Sequence, residues 1–277
     1  MKRTINTFVF GQPAIDGGGV HLVRVLGNRN VRDFDPFLML DSFDSTNPDD
    51  YTAGFPMHPH RGLETISYVQ RGKMVHSDSL GFEDTVTDGE IQYMTAGSGI
   101  LHEKKVSEAE RLLVVQLWLN LPARDKMCDP AYTAVRAADV PEVSLPGAKL
   151  RVLMGSFGEV RSAQSRYLPF DYYNIRTEAG AAVTLPTPAG NTVFVFTLEG
   201  EAEIDGEDIP PKAAALLTRG DEVTIETAEA ANLLFMSAPP LNEPISWMGP
   251  VVMNTGEEID AAFRELRDGT FVKKSLQ

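Results

Sequence analysis

The residues best suited to chemistry lie in one stretch, Phe55-Pro56-Met57-His58-Pro59-His60-Arg61-Gly62-Leu63-Glu64-Thr65. Side chains of an extended strand alternate between its faces. His58 and His60 therefore share a face, and Glu64 joins them if the strand runs unbroken through Gly62. Two imidazoles so placed can converge on one first-row divalent ion such as iron, manganese, nickel, copper or zinc. Pro59 stiffens the pair and marks a strand start or a sheet edge. Taken alone, a His-x-His spacing describes a solvated surface pair more often than a ligand pair. A third imidazole, His102, follows the small-residue run Thr95-Ala96-Gly97-Ser98-Gly99. Glycines there permit a tight turn and a close backbone approach.

The elements that must carry these residues read as short strands. Ile66–Val69, Leu112–Leu119, Val193–Phe196 and Ala231–Met236 are rich in β-branched, aromatic or leucine side chains and are bounded by Gly, Pro, Asp and Asn. Their spacing predicts an all-β sandwich or barrel. One helix is expected near the end, over 256–266. Asn254-Thr255 caps it, Glu257 and Glu258 open it, Ile259, Ala262, Phe263 and Leu266 form its apolar stripe, and Gly269 follows. A weak internal repeat relates 64–74 to 193–202, each a strand, a polar-glycine turn and a returning strand. Asp88-Gly89-Glu90 and Gly220-Asp221-Glu222 continue the two copies. Residues 137–147, with Pro141 and Pro146, read as the linker, giving domains 1–136 and 137–277.

All five histidines, His21, His58, His60, His76 and His102, lie in the first domain, and so does the single cysteine, Cys128. Any imidazole or thiolate site belongs there. With 277 residues the chain can bury real cores without a disulfide or a structural metal, and one cysteine forbids an intrachain disulfide. The absence of a secretory pattern at the N-terminus and the cysteine usage point to a reducing cytoplasm. The formal net charge is −14, so the field of the protein opposes nucleic acid and anionic membranes. No apolar run approaches the roughly 18 residues of a membrane span.

The order of these pieces resembles a cupin barrel, and more specifically the pirin family. The resemblance rests on 58–65 (HPHRGLET), 76–81 (HSDSLG), 94–102 (MTAGSGILH), 116–122 (QLWLNLP) and 243–255 (EPISWMGPVVMNT). It implies two tandem cupin-type β-barrels with a metal, usually iron, in the N-terminal one only. In pirins the ligands are the histidines of the His-Pro-His run, a later histidine, and a glutamate two residues after that. His58, His60 and His102 match, whereas Lys104 stands where the family has glutamate. The fourth position is then open to four readings. A bulge could turn Glu103 inward, Glu64 or water could fill the position, or Lys104 could itself turn in and repel the cation.

The resemblance further implies a mononuclear metal dioxygenase acting on flavonols such as quercetin, with a small aromatic substrate chelating the metal. Glu64 or Glu103 would serve as the base that the missing glutamate would otherwise supply. The alternative is a non-catalytic regulator whose metal or redox state biases a surface presented to a protein partner; a third reading is a metal-free, degenerate member. Among the remaining residues, His76 reads as a turn or surface residue, His21 as structural, and Arg61 as an ion-pair partner of Glu64 ahead of a holder of an anionic substrate. Gln116 and Trp118 share a strand face that would line the first barrel, with core packing an equal account of Trp118.

Overall fold

Alternating apolar residues between glycine-marked turns do form strands throughout. The computed structural model describes residues 1–274. Among these, the single α-helix is Gly256–Arg267, accompanied by three one-turn 3-10 helices. The chain divides into two compact units, each drawn from separate stretches. One comprises Pro13–Val31, Phe37–Ala137 and the chain from Leu241 onward; the other comprises Met1–Gln12, Arg32–Pro36 and Ala138–Pro240.

The histidine-bearing unit has a seven-stranded and a four-stranded sheet. The larger runs, in spatial order, Ala131–Val135, Glu90–Thr95, Leu63–Arg71, Leu112–Asn120, Phe37–Ser45, Val20–Leu26 and Gln12–Asp16. The smaller runs Phe55–His60, Ile100–Ser107, Lys73–Asp78 and Glu83–Val86. The other unit repeats this plan place for place. Its large sheet runs Ile5–Phe10, Ala213–Leu217, Thr192–Glu199, Asn232–Ala238, Asp171–Thr177, Ala148–Met154 and Glu142–Leu145. Its small sheet runs Ala181–Pro186, Glu222–Thr227, Ala202–Ile204 and Glu207–Ile209. The two segments that the sequence repeat matched, in Leu63–Arg71 and Thr192–Glu199, hold the same third place in their sheets.

The two interiors differ. In the second unit Val183, Leu185, Val195, Val223, Ile225 and Phe235 belong to one continuous apolar core. In the first, an apolar cluster of Val20, Phe43, Val69, Met74, Val106 and Val114 fills one part. The remainder holds buried His60, His76, His102 and Lys104. A division of the chain into repeats at 136/137 remains our proposal, to which the compact units add an exchange of ends. Residues 137–147 do not form a bare spacer. Ala137–Asp139 makes a 3-10 turn and Glu142–Leu145 is an edge strand paired with Ala148–Met154. Pro141 and Pro146 flank that edge strand, where proline costs no ladder hydrogen bond.

The helix forms as the sequence predicts. Thr255 accepts from the Glu258 backbone N–H and the Glu258 side chain reaches back to the cap, closing a capping box. Ile259 and Ala262 bury against Val251, Met253 and Phe271. Two buried cations tie this C-terminal stretch to the histidine-bearing barrel. Lys126 donates to the carbonyls of Gly62 and Val252, at 2.7 and 3.0 Å. Arg61 donates to the Ser98 and Phe271 carbonyls, pairs with Glu265 at 2.6 Å, and lies 4.2 Å above the Phe271 ring. Arg61 thus pairs with Glu265 rather than with Glu64.

Gly62 is the hinge between the two sheets. Its φ is +76°, and a Cβ there would stand 1.9 Å from the Val252 carbonyl oxygen. Gly206 has a similar φ of +79° and open surroundings. Gly62→Ala is therefore expected to lose about 2–4 kcal/mol of stability, and Gly206→Ala only about 1 kcal/mol. Urea unfolding midpoints of the two variants provide the comparison.

Candidate metal centre

Antiparallel pairing of Phe55–His60 with Ile100–Ser107 sets His58 directly opposite His102 and His60 opposite Ile100. Alternation along the first strand keeps His58 and His60 on one face, as the sequence predicts. The three imidazoles meet, with ring centroids 4.3 Å apart for His58–His102, 4.9 Å for His58–His60 and 5.0 Å for His60–His102. One ligand atom from each lies within 4.8 Å of the others, the only such group of imidazole, thiol or carboxylate donors among the described residues.

Hydrogen bonds decide which nitrogens face inward. His58 Nδ1 is 2.8 Å from the Pro56 carbonyl and His60 Nδ1 is 3.2 Å from the Pro250 carbonyl. A carbonyl only accepts, so each Nδ1 carries the proton and each neutral ring presents a bare Nε2. Those two Nε2 atoms are 3.1 Å apart. His102 Nε2 is buried with no hydrogen-bond partner. Lone pairs so confronted repel unless a proton or a cation stands between them. Two nitrogens each about 2.1 Å from one ion and at a right angle would be about 3.0 Å apart, so this donor set fits a first-row divalent metal.

Protonation is disfavoured at all three rings. Burial pushes the His58 pKa down, with the Lys104 charge adding to it against the Pro56 hydrogen bond. His60 and His102 fall well below the ordinary histidine range, first through burial and then through the neighbouring imidazoles and Lys104. Neutral imidazole is the form that ligates metal.

Lys104 does turn inward. Two residues beyond His102, it shares that residue's face and is 3% exposed. Its ammonium donates to Ser67 Oγ at 2.9 Å and Gln116 Oε1 at 2.5 Å. Burial lowers its pKa to about 7. Among the described residues no carboxylate pairs with it. Above it opens a cavity of about 590 Å³ lined by Phe55, His58, His60, Lys104, Trp118 and Trp247, among others. Gln116 lines the same cavity, so the strand face it shares with Trp118 does look into the barrel. Trp118 packs edge-on to His60 and 5.8 Å from Trp247. Arg24, at the rim, is neutralised by Asp41 and Asp16.

Neither carboxylate expected as the base reaches the triad. The strand breaks at Gly62, so His60 ends one sheet and Leu63 begins the other, and Glu64 no longer shares the histidine face. Glu64 is instead fully buried, accepting from Tyr93 at 2.5 Å and Thr95 at 2.8 Å. Glu103 points away from His102 and pairs with Lys105 at 2.9 Å. The strand does carry a bulge, but its extra residue lies on the partner: His102 faces His58 while Lys104 faces Phe55. Glu103 is therefore not rotated inward.

His76 corrects a second expectation. It is not a turn residue but lies in the strand Lys73–Asp78, fully buried, with its ring centroid 5.3 Å from that of His102. The turn begins only after Asp78. The alternation His76-Ser77-Asp78 was the available signal, since it places both polar residues on one face. Also unforeseen were Gln92, the Pro250 carbonyl and Trp247, brought to the site from distant stretches. His21 is exposed, 3.4 Å from Asp50.

Two cupin barrels, one carrying a histidine triad beneath a cavity, define a bicupin with a candidate metal centre. The chain matches the family model described as Pirin over residues 19–119 and that of the Pirin C-terminal cupin domain over residues 172–272. It is 39% identical over 269 residues to a Pseudomonas aeruginosa protein named "Putative quercetin 2,3-dioxygenase", covering 94% of each chain. It is 33% identical to Homo sapiens pirin, covering 96% of this chain and 93% of that one. A crystal structure of quercetin 2,3-dioxygenase from Acinetobacter baumannii superposes with a TM-score of 0.92 at 32% identity, covering 98% and 99% of the two chains. The chain belongs to the pirin family.

Glu64→Gln tests the separation of Glu64 from the triad. It is expected to lose about 1–3 kcal/mol of stability, because a buried amide replaces the carboxyl that accepts from the Tyr93 and Thr95 hydroxyls. Its zinc uptake should equal that of the unsubstituted protein, as read by elemental analysis.

Proposed function

We propose that this chain holds one divalent metal at His58, His60 and His102 and acts as a dioxygenase on quercetin-like flavonols. The observation that carries the reading is the pair of unprotonated Nε2 atoms of His58 and His60, 3.1 Å apart with both Nδ1 protons committed elsewhere. Iron is the metal we favour, with manganese, nickel, copper and zinc compatible with the same nitrogen donors. The quercetin 2,3-dioxygenase names carried by the Pseudomonas and Acinetobacter relatives support the substrate class.

When bound, a metal with three protein ligands keeps open positions and polarises a chelating pair of oxygens. The chain supplies the rest. A cavity of about 590 Å³ is of the size that takes a small aromatic molecule. Trp118, Trp247 and Phe55 give it flat apolar walls on which a polyphenol ring can lie. Lys104 offers a hydrogen-bond donor where other pirins offer a carboxylate, so it would hold an anionic ligand oxygen rather than remove a proton. We assign the protein to the cytoplasm, where its cysteine content is at home, with no direct nucleic-acid role given its net charge of −14.

Lys104 is also the specific observation behind a second reading. A triad that no carboxylate joins among the described residues suits a metal-dependent regulator acting through a protein partner better than it suits proton abstraction. Elemental analysis of protein offered Fe(II) anaerobically, with oxygen uptake on quercetin, separates the readings. The proposal expects about one equivalent of metal and turnover, both lost in His58→Ala/His60→Ala. Metal without turnover would favour the regulator, and no metal would leave only the metal-free reading. Lys104→Glu is expected to tighten metal binding by about tenfold or more, since it replaces a buried cation with a ligand.

A further inference from the structure

Behind the triad lies a buried polar chain that no metal ligand accounts for: Asp78, His76 and Gln92, running up to His102. Asp78 Oδ1 accepts the backbone N–H groups of Leu80 at 2.8 Å and Phe82 at 3.3 Å. Its other oxygen, Oδ2, is 2.8 Å from His76 Nε2. All of the His76 and Asp78 side chains are inaccessible to solvent. A carboxylate oxygen accepts, so His76 carries its proton on Nε2 and presents Nδ1 as a lone pair. The Gln92 amide nitrogen donates to that Nδ1 at 2.7 Å. His102 Nδ1 approaches the same atom at 3.4 Å.

We infer that Asp78 and His76 are positioning residues that fix the tautomer of His102. With its Nδ1 proton directed at His76, the ring must leave Nε2 bare, and Nε2 is the atom found buried without a partner. The inference rests on the metal-centre reading for its purpose, but the tautomer itself is a property of the metal-free chain. His58 and His60 have backbone carbonyls to hold their Nδ1 protons; His102, in mid-strand, has none and uses a side chain. The arrangement is a carboxylate–histidine–histidine series, in which the outer carboxylate sets the direction of every hydrogen bond after it.

The hold on His102 can be released by one near-isosteric change. In Asp78→Asn the Leu80 and Phe82 N–H groups still require an acceptor, so the new amide oxygen takes the Oδ1 place. Its NH₂ then faces His76 Nε2, which must become the lone pair. His76 is left with its proton on Nδ1, which the Gln92 amide accepts by turning its buried, unpartnered oxygen toward it. His102 Nδ1 then faces an N–H instead of a lone pair, and its own proton is no longer held away from Nε2, where a metal would bind.

Two readouts test this. Long-range ¹H–¹⁵N correlation spectra of the imidazoles, recorded on metal-free protein, report the tautomer of each histidine. Competition with a chromogenic chelator reports zinc affinity. The inference expects His102 as the Nδ1–H tautomer in the unsubstituted protein and a raised Nε2–H fraction in Asp78→Asn, with zinc bound about 10–100-fold more weakly by the variant. A His102 that is Nε2–H in the unsubstituted protein would overturn it, and that measurement needs no variant to fold. Unchanged zinc affinity and tautomer in a folded Asp78→Asn would overturn it equally. An unsubstituted protein that binds no zinc yet shows His102 as Nδ1–H would defeat the metal-centre reading and leave this assignment standing.

Discussion

Three neutral imidazoles held with bare nitrogens toward one point are a costly arrangement, and the histidine-bearing unit is organised around it. Burial keeps protons off the rings. Each ring is then oriented by a different acceptor: the Pro56 carbonyl in its own strand, the Pro250 carbonyl from the C-terminal stretch, and His76 from the neighbouring strand. The site therefore depends on chain segments widely separated in sequence. This explains why the C-terminal stretch is fastened so firmly. Lys126 and Arg61, both buried, spend their donors on carbonyls at its contact with the residues just after His60. Gly62 lets the Val252 backbone come close enough for that contact.

The second unit shows what the scaffold is without this constraint. It has the same order of strands in both sheets, yet Val183, Leu185, Val223 and Ile225 fill its interior from the strands that match the histidine-bearing pair. An apolar interior is the cheaper solution, since it needs no partner for every polar atom. The first unit accepts buried polar groups and satisfies most of them in series, including the Lys104 ammonium on Ser67 and Gln116. Lys104 changes the charge of the centre rather than its shape. A carboxylate there would offset the charge of a bound cation; the lysine cannot, and it offers hydrogen-bond donors instead.

Much of this was legible in the residues. The spacing of His58 and His60 settled their common face, the confinement of all histidines to one half located the site, and the pattern from Thr255 to Leu266 gave the helix and its cap. What was not legible depended on pairings distant in sequence. Glu64 looked coplanar with the histidines only if the strand continued, and the positive φ of Gly62 ends it. Arg61 found its acid at Glu265, far along the chain. His76 read as a turn residue because Ser77, Asp78 and Ser79 surround it. The polarity of that stretch reflects a buried network rather than solvent. Lys104 was one of four residues or groups open to the fourth position, and only the register with Phe55 and His58 decides it against Glu103.

The central claim is that His58, His60 and His102 form one metal centre through their Nε2 atoms. X-ray absorption at the metal edge of stoichiometrically loaded Fe(II) protein tests it most directly. The account expects a first shell containing three imidazole nitrogens at about 2.0–2.2 Å, with the outer-ring scattering that imidazole gives. A shell of oxygen donors without imidazole, or a spectrum that His102→Ala leaves unchanged, would contradict it.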